Sequence, residues 1–107
     1  MPVRDVRRRY LYVKVSSDEA IGEEQFLKAL SDKVHFLYGV TGASQMNIRL
    51  IEWGCSSQTA IVRVNHDMLT ETRAAISHIQ EISGASVRLD VVRVSGTIKT
   101  LKSKIST

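Results

Sequence analysis

The segment MNIRLIEWGCSSQTAIVRVN, residues 46–65, decides the fold. Its two halves, MNIRLIEWG and TAIVRVN, combine β-branched and other large apolar residues in a way that is typical of strands. Between them, residues 54–57 supply a glycine, a cysteine and two serines, which form a short polar turn. Strands joined by so short a turn pair antiparallel, so we predict a β-hairpin in the middle of the chain.

A strand and then a helix precede this hairpin. Along residues 8–15, leucine and valine alternate with tyrosine and lysine, which is the period of a half-buried strand. Over residues 23–38, large apolar side chains recur at spacings of four, four and three, which gives one apolar stripe on a helix. We expect Gly39 and Gly42 to end this helix, because glycine tolerates positive φ.

A second helix and a last strand follow the hairpin. Asp67 suits the N-terminus of that helix, and Gly84 suits the position just after its end. The predicted inner face of the helix consists of Leu69, Thr72, Ile76, Ile79 and Ile82. Residues 86–95 are rich in β-branched side chains and predict a strand that Gly96 stops.

The tail after Gly96 has two possible roles. Thr97 can cap a short helix in which Ile98, Leu101 and Ile105 share one face. So short a helix is marginal alone, and it therefore docks on something or stays mobile. It can dock on its own domain or on a partner, and the sequence leaves both open.

The order of elements is β-α-β-β-α-β within a single domain, residues 1–107. That order predicts an α+β fold of the ferredoxin-like, split βαβ type: a four-stranded antiparallel sheet with both helices on one face, followed by a basic tail or short helix. In this topology the first and third strands are central, and the fourth strand pairs with the first. The start of the first strand therefore lies beside the end of the last one.

Positive charge is concentrated at both ends of the chain. Residues 1–15 and residues 88–107 each carry five basic side chains and one acidic one, whereas the whole chain has a net charge of only +4. The middle of the chain is therefore acidic. Because the topology joins the two basic segments, we predict a patch that binds a polyanion such as a nucleic acid. The alternative is that charged termini are merely solvated.

The sheet face away from the helices also needs a cover or a ligand. Tyr10, Tyr12 and Ile61 are expected at its centre, where aromatic side chains could stack on bases. A partly apolar face is more often covered by another segment or by another protein. The candidates for protein contact are Tyr10, Tyr12, Ile61, Ile98 and Leu101.

The sequence argues against several other classes of protein. A lone cysteine, Cys55, cannot form an internal disulfide, and no apolar run is long enough for a membrane span or a signal peptide, so we expect a cytoplasmic protein. The three histidines are scattered, and no nucleophile has a basic partner nearby in the sequence. We therefore expect no catalytic residue and no metal site. The acidic residues of residues 18–24 are better explained as a solvated helix start than as magnesium ligands.

Three stretches resemble one known family, the small protein subunit of archaeal and eukaryotic ribonuclease P, called protein component 2 in archaea. RRRYLYVKV is similar to the first strand of that family, and QTAIVRVNHDMLTETRAAISHI to a strand that runs into a helix. VRVSGTIKTLKSK is similar to its closing strand, and its SGTIK sequence is the most specific of these signals.

The resemblance implies a protein that assists a catalytic RNA in removing the 5′ leader from precursor tRNA. It implies ribonuclease P RNA, precursor tRNA within the holoenzyme and a TIM-barrel subunit (component 3) as partners, possible homodimers, and magnesium ions bound by the RNA. The residues that it implies for RNA contact are Arg4, Arg7, Arg8, Arg9, Lys14, Arg63, Arg93, Lys99, Lys102 and Lys104. The alternative is a regulatory module of the same fold that senses a small ligand at a dimer interface.

Overall fold

The computed structural model describes residues 7–105. Five strands and three helices alternate along the chain, and a single 3₁₀ turn, His66–Met68, precedes the second helix. The strands are β1 (Arg8–Ser17), β2 (Arg49–Gly54), β3 (Thr59–Asn65), β4 (Glu81–Ile82) and β5 (Ala85–Ser95). The helices are α1 (Glu23–Met46), α2 (Leu69–His78) and α3 (Ile98–Ile105).

All five strands form one antiparallel sheet in the order β2-β3-β1-β5-β4. The α+β class is confirmed, and the four long strands are arranged as predicted, with β1 and β3 at the centre. The predicted count of four strands is wrong, because β4 adds a fifth. Ser83 and Gly84 both have positive φ, 51° and 83°, and such a two-residue turn folds β4 back onto β5 as a hairpin.

That hairpin also corrects the predicted end of the second helix. α2 stops at His78, and Ile79 is already extended, with φ −76° and ψ 115°. Ile79 and Ile82 are still buried, at 4% and 1% exposure. Their burial was therefore predicted correctly, but the prediction that they belong to the second helix is wrong. Gly84 lies in the turn before β5 instead of at a helix end.

A kink at Gly39 divides α1 into two helical segments. Gly39 leaves the helical conformation, with φ 72° and ψ −175°, as its position after the apolar stripe indicated. The chain then resumes the helix until Met46, and Asn47 closes it in the left-handed conformation, its N–H donating to the carbonyl of Ala43 at 3.3 Å. Gly39 thus ends the first helical segment as predicted, and a second segment follows it within α1. Gly42 lies inside that second segment, so its predicted role at a helix end is wrong.

The main core lies between the sheet and the two long helices. Leu11 and Val13 of β1 and Val62 of β3 have no exposed surface, and α1 covers them with Phe26. The ring of Phe26 lies 5.1 Å from that of Trp53 on β2, centroid to centroid. Because side chains alternate along a strand, these residues all lie on one face of the sheet. The apolar residues on the other face need a separate cover.

Helix α3 supplies that cover, and it shows that the predicted tail or short helix is a helix. Ile61 points away from the main core between Ala60 and Val62, yet only 5% of it is exposed. α3 contacts β5 and β1, and Leu101 within it has no exposed surface. Thr97 caps the helix as predicted, its Oγ1 accepting the N–H of Thr100 at 3.2 Å. The tail therefore docks on its own domain.

No helix within residues 7–105 combines the length and the apolar character that crossing a lipid bilayer requires.

Candidate nucleic-acid interface

Strand register brings the two basic segments together. Arg8 is the Cα partner of Asn65 at the end of β3, and Tyr10 is the partner of Ser95 at the end of β5. The guanidinium of Arg9 lies beside Gly96, where an added Cβ would be 3.2 Å from Nη1. The predicted meeting of the start of β1 with the end of β5 is therefore confirmed.

Further basic residues lie at the same end of the sheet. We call this region the basic end; it consists of Arg7, Arg8, Arg9, Arg49, Arg63, Arg93 and Lys99. Most of these side chains are exposed, while Arg9 and Arg63 are half-buried. Lys99 belongs to the first turn of α3, directly after the corner that Gly96 forms.

Two of the predicted lysines do not belong to the basic end. Lys14 lies on the far half of β1, opposite Thr59 and Asp90. Lys102 lies across the sheet, where its Nζ is 3.2 Å from Oε2 of Glu52 on β2. Three strand spacings separate β2 from β5, about 14 Å, because α3 turns back over the sheet instead of leaving it at the corner.

Two other predicted residues lie where their side chains are not described. Arg4 is outside residues 7–105, and Lys104 is within α3 but its side chain is outside the described part. Their roles stay predictions.

Arg49 was missed in the sequence, and a β-bulge explains why. A regular hairpin continued from the Gly54 and Thr59 pair would place Leu50 opposite Arg63. The register shifts by one residue between Leu50 and Glu52, so Arg49 becomes the Cα partner of Arg63. No pattern in the sequence indicates this shift.

The basic end has little internal compensation for its charge. The two ion pairs seen among the described residues, Arg88 with Asp90 and Lys102 with Glu52, lie away from its arginines. Nε of Arg63 and Oδ1 of Asn65 are buried and have no hydrogen-bond partner in the described part of the protein. Guanidinium groups in this state are suited to phosphate oxygens, which accept two parallel hydrogen bonds from one fork.

Comparison with known proteins identifies the relatives of this chain. The model of the Rpp14/Pop5 family matches residues 9–106. The chain belongs to the Rpp14/Pop5 family. The matched range begins at Arg9 and therefore includes all of the basic end except Arg7 and Arg8.

Curated relatives of this Rpp14/Pop5 chain are archaeal proteins named ribonuclease P protein component 2. The one from Thermococcus kodakarensis is 32% identical over 98 residues, which cover 92% of this chain and 82% of the relative. The one from Thermococcus gammatolerans is 30% identical over 103 residues, or 96% of this chain and 86% of the relative. The protein from Archaeoglobus fulgidus is 30% identical, with 92% and 87% covered.

A solved structure shares the fold. A chain in the cryo-EM structure of yeast ribonuclease MRP superposes with a TM-score of 0.71 at 16% sequence identity, covering 98% of this chain and 93% of that one. At this identity the likeness concerns the fold. It extends over β4 and α3 as well as the four long strands.

The protein-contact candidates divide according to burial. Ile61 and Leu101 are buried within the chain, at 5% and 0% exposure, and their role in protein contact stays a prediction. Tyr10, Tyr12 and Ile98 stay half-buried. The most exposed large apolar side chains, at 81% and 77%, are Phe36 and Val40 on α1, which sequence analysis did not single out because they lie beside the predicted helix end.

The described residues offer few groups for chemistry of their own. No cluster of three or more metal-ligating side chains occurs between residues 7 and 105. His35 donates to or accepts from its own helix, with Nδ1 2.8 Å from the carbonyl of Ser31, and Cys55 is an exposed free thiol in the hairpin turn. What the described residues do offer is a concentration of cations at one end of the sheet, without ion pairs among residues 7–105.

Proposed function

We propose that this Rpp14/Pop5 protein is a protein subunit of ribonuclease P, the RNA-based enzyme that removes the 5′ leader from precursor tRNA. The single observation that carries the proposal is the similarity over 92% or more of the chain to archaeal proteins named ribonuclease P protein component 2. The basic end gives that similarity a physical mechanism. Its side chains neutralise phosphates of the RNA and release the counterions condensed there.

In this proposal the RNA supplies the chemistry. Magnesium ions are bound by the RNA, and the protein carries no catalytic group. Arg7, Arg8 and Arg9 contact phosphates and hold the RNA against the end of the sheet. The scaffold is a ferredoxin-like core of four long strands and two helices, to which β4 and α3 are added. Lys14 and Lys102 are weaker candidates for RNA contact than Lys99, because they lie away from the basic end.

The protein partners that we propose are a TIM-barrel subunit and a second copy of this chain. Phe36 and Val40 are exposed and available for such contacts. A ligand-sensing module, the alternative function, gains no support from the family match, and it would leave the unpaired arginines without a role.

Reconstitution tests the proposal. The chain is combined with ribonuclease P RNA and the TIM-barrel subunit, and cleavage of 5′-labelled precursor tRNA is measured with and without it over a range of magnesium concentrations. We expect faster cleavage, or the same rate at less magnesium, when the chain is present. The purified chain without RNA is the control and is expected to cleave nothing. Cleavage without RNA, or no response of the reconstituted enzyme to the chain, would contradict the proposal.

A further inference from the structure

Two arginines face each other directly across neighbouring strands. Arg49 begins β2, and its Cα partner is Arg63 near the end of β3. The next pair along the hairpin, Leu50 and Val62, packs in the main core. Because successive residues of a strand point to opposite faces, Arg63 belongs to the face away from α1 and α2. Arg49 lies opposite it at the start of the edge strand, where it also lines a cavity beside α1.

This pairing is unfavourable in the isolated protein. Residues directly opposite on one face have Cβ atoms about 4.5–5.5 Å apart, and like charges at that separation destabilise a sheet. A carboxylate nearby would offset the repulsion, yet neither arginine forms an ion pair with any carboxylate of residues 7–105. Nε of Arg63 is in addition buried without an acceptor in that part of the chain. An anion with several oxygens would offset the repulsion between the two guanidinium groups.

We propose that Arg49 and Arg63 form a binding site for one phosphate of an RNA backbone. This inference rests on the proposed function and extends it to residues that neither the first nor the last strand supplies. A tetrahedral phosphate can accept hydrogen bonds from two guanidinium forks at once, while one carboxylate satisfies only one fork. The site therefore fits a phosphodiester better than the side chain of an acidic protein.

The neighbouring residues continue the site towards the start of β1. On β1, the other neighbour of β3, Tyr10 is the Cα partner of Arg63. Tyr10 is half-buried on the same face of the sheet as Arg63. Arg8 lies two residues before Tyr10 on that face, about 7 Å along the strand. The proposed track on the RNA thus runs from Arg49 and Arg63 past the ring of Tyr10 to Arg8.

The decisive experiment measures the melting temperature and the RNA affinity of Arg49→Ala. If Arg49 had a purely structural role, both would fall together. Removal of one like charge is expected to raise the melting temperature of the RNA-free protein by about 2–5 °C at low salt. The same change is expected to weaken binding to a fluorescein-labelled transcript of ribonuclease P RNA from Thermococcus kodakarensis about 3- to 10-fold. The slope of log affinity against log salt should become shallower by about 0.9.

Matched variants define the specificity of the effect. Arg73→Ala removes an exposed arginine from α2, on the other side of the sheet, and is expected to change neither property. Arg49→Glu places a carboxylate opposite Arg63 and should raise the melting temperature further while weakening RNA binding more than Arg49→Ala does. Inorganic phosphate, compared with chloride at equal ionic strength, should stabilise the unmodified protein more than the Arg49→Ala variant.

The outcomes separate this inference from the proposed function. Loss of RNA binding in an Arg7, Arg8, Arg9 triple-alanine variant, with no change in Arg49→Ala, would overturn the inference and leave the function standing. No loss in either variant would count against the function itself. A lower melting temperature for Arg49→Ala, or a loss of binding to the TIM-barrel subunit with RNA affinity intact, would also overturn the phosphate site.

Discussion

The two ends of the sheet satisfy their polar groups in opposite ways. At the end where β1 stops, Gln58 holds the loop before α1: its Oε1 accepts the N–H of Ile21 at 2.7 Å, and its Nε2 donates to the carbonyls of Ile21 and Cys55 at 3.1 and 2.8 Å. Gln25 accepts the N–H of Gly22 at 2.8 Å and so caps the helix. We call this region the acidic end, because it carries Asp18, Glu19, Glu23 and Glu24.

The acids of the acidic end are explained by the fold itself. Glu23 and Glu24 occupy the first turn of α1, where negative charge interacts favourably with the exposed N–H groups of a helix. Trp53 is an exception to the internal pairing, since its Nε1 is buried without a described partner. The basic end has no comparable explanation within residues 7–105, because there its arginines form no ion pair and Arg63 and Asn65 leave buried polar atoms unsatisfied.

The difference indicates that the acidic end serves stability and the basic end serves binding. Buried polar atoms in folded proteins are normally paired, so an end that pairs its own groups contributes to stability. An end that leaves them unpaired costs stability in the free protein, and the cost is offset when a ligand provides the partners. The comparison predicts that substitutions at the acidic end change folding, and that substitutions at the basic end change binding.

The largest expected effect is on folding, from Phe26→Ala. Phe26 has no exposed surface and contacts Trp53, so the cavity is expected to cost about 3–5 kcal/mol of unfolding free energy. Chemical denaturation measures this. Leu27→Ala, the neighbouring residue at 41% exposure, is the control and should cost less than about 1 kcal/mol. RNA affinity, measured where both variants are folded, should stay within about twofold of the original; a large loss would show that the two ends are not independent.

The next largest effect is on binding, from joint replacement of Arg7, Arg8 and Arg9 by alanine. The unmodified chain is expected to bind structured RNA with a log–log salt slope of about −3 to −5, from about four to six phosphate contacts. The variant should lose about 100-fold in affinity near 0.1 M salt, and its slope should be shallower by about 2.7. Fluorescence anisotropy over a salt series measures both.

A matched triple variant at the other end serves as its control. Asp18→Asn, Glu19→Gln and Glu23→Gln together change the charge by the same number of units in the opposite direction, and they should leave the RNA affinity equal or slightly stronger. Unchanged binding after loss of the three arginines would remove them from the interface.

The smallest effect expected is on the loop that Gln58 holds. Gln58→Ala removes three hydrogen bonds, two of them part-buried, and should cost about 1–2 kcal/mol of unfolding free energy. Gln58 has a φ of 53°, and alanine keeps the same backbone strain, so the loss reports the side chain. Ser56→Ala in the same turn should be neutral. If Gln58→Ala weakened RNA binding without lowering the free energy of unfolding, the assignment of folding to the acidic end and binding to the basic end would be wrong.

How far the sequence predicted this molecule depends on the range of the interactions involved. The alternation in β1, the hairpin of β2 and β3 and the cap at Thr97 are local, and each was predicted within a few residues. The end of α2 was not predicted correctly, because Ile79 and Ile82 fit a helical face as well as they fit an extended segment. The pair Ser83 and Gly84, whose positive φ values form the turn before β5, decided between the two.

The candidate site shows the same limit. Arg7, Arg8, Arg9 and Arg93 could be predicted, because the topology alone joins the first and last strands. The separation of Lys102 from them could not, since it depends on Leu101 docking on the covered face and on the ion pair with Glu52. The pairing of Arg49 with Arg63 depends on a bulge of one residue.

The amino-acid sequence by itself thus determined the succession of the four long strands, the family resemblance and the concentration of charge at the two ends of the chain, because periodicity and composition are local properties. Tertiary structure decided which of those charges share a surface. Register, a bulge and the direction of α3 arise from packing between segments distant in the chain, and a shift of a single residue reverses the face that a side chain occupies.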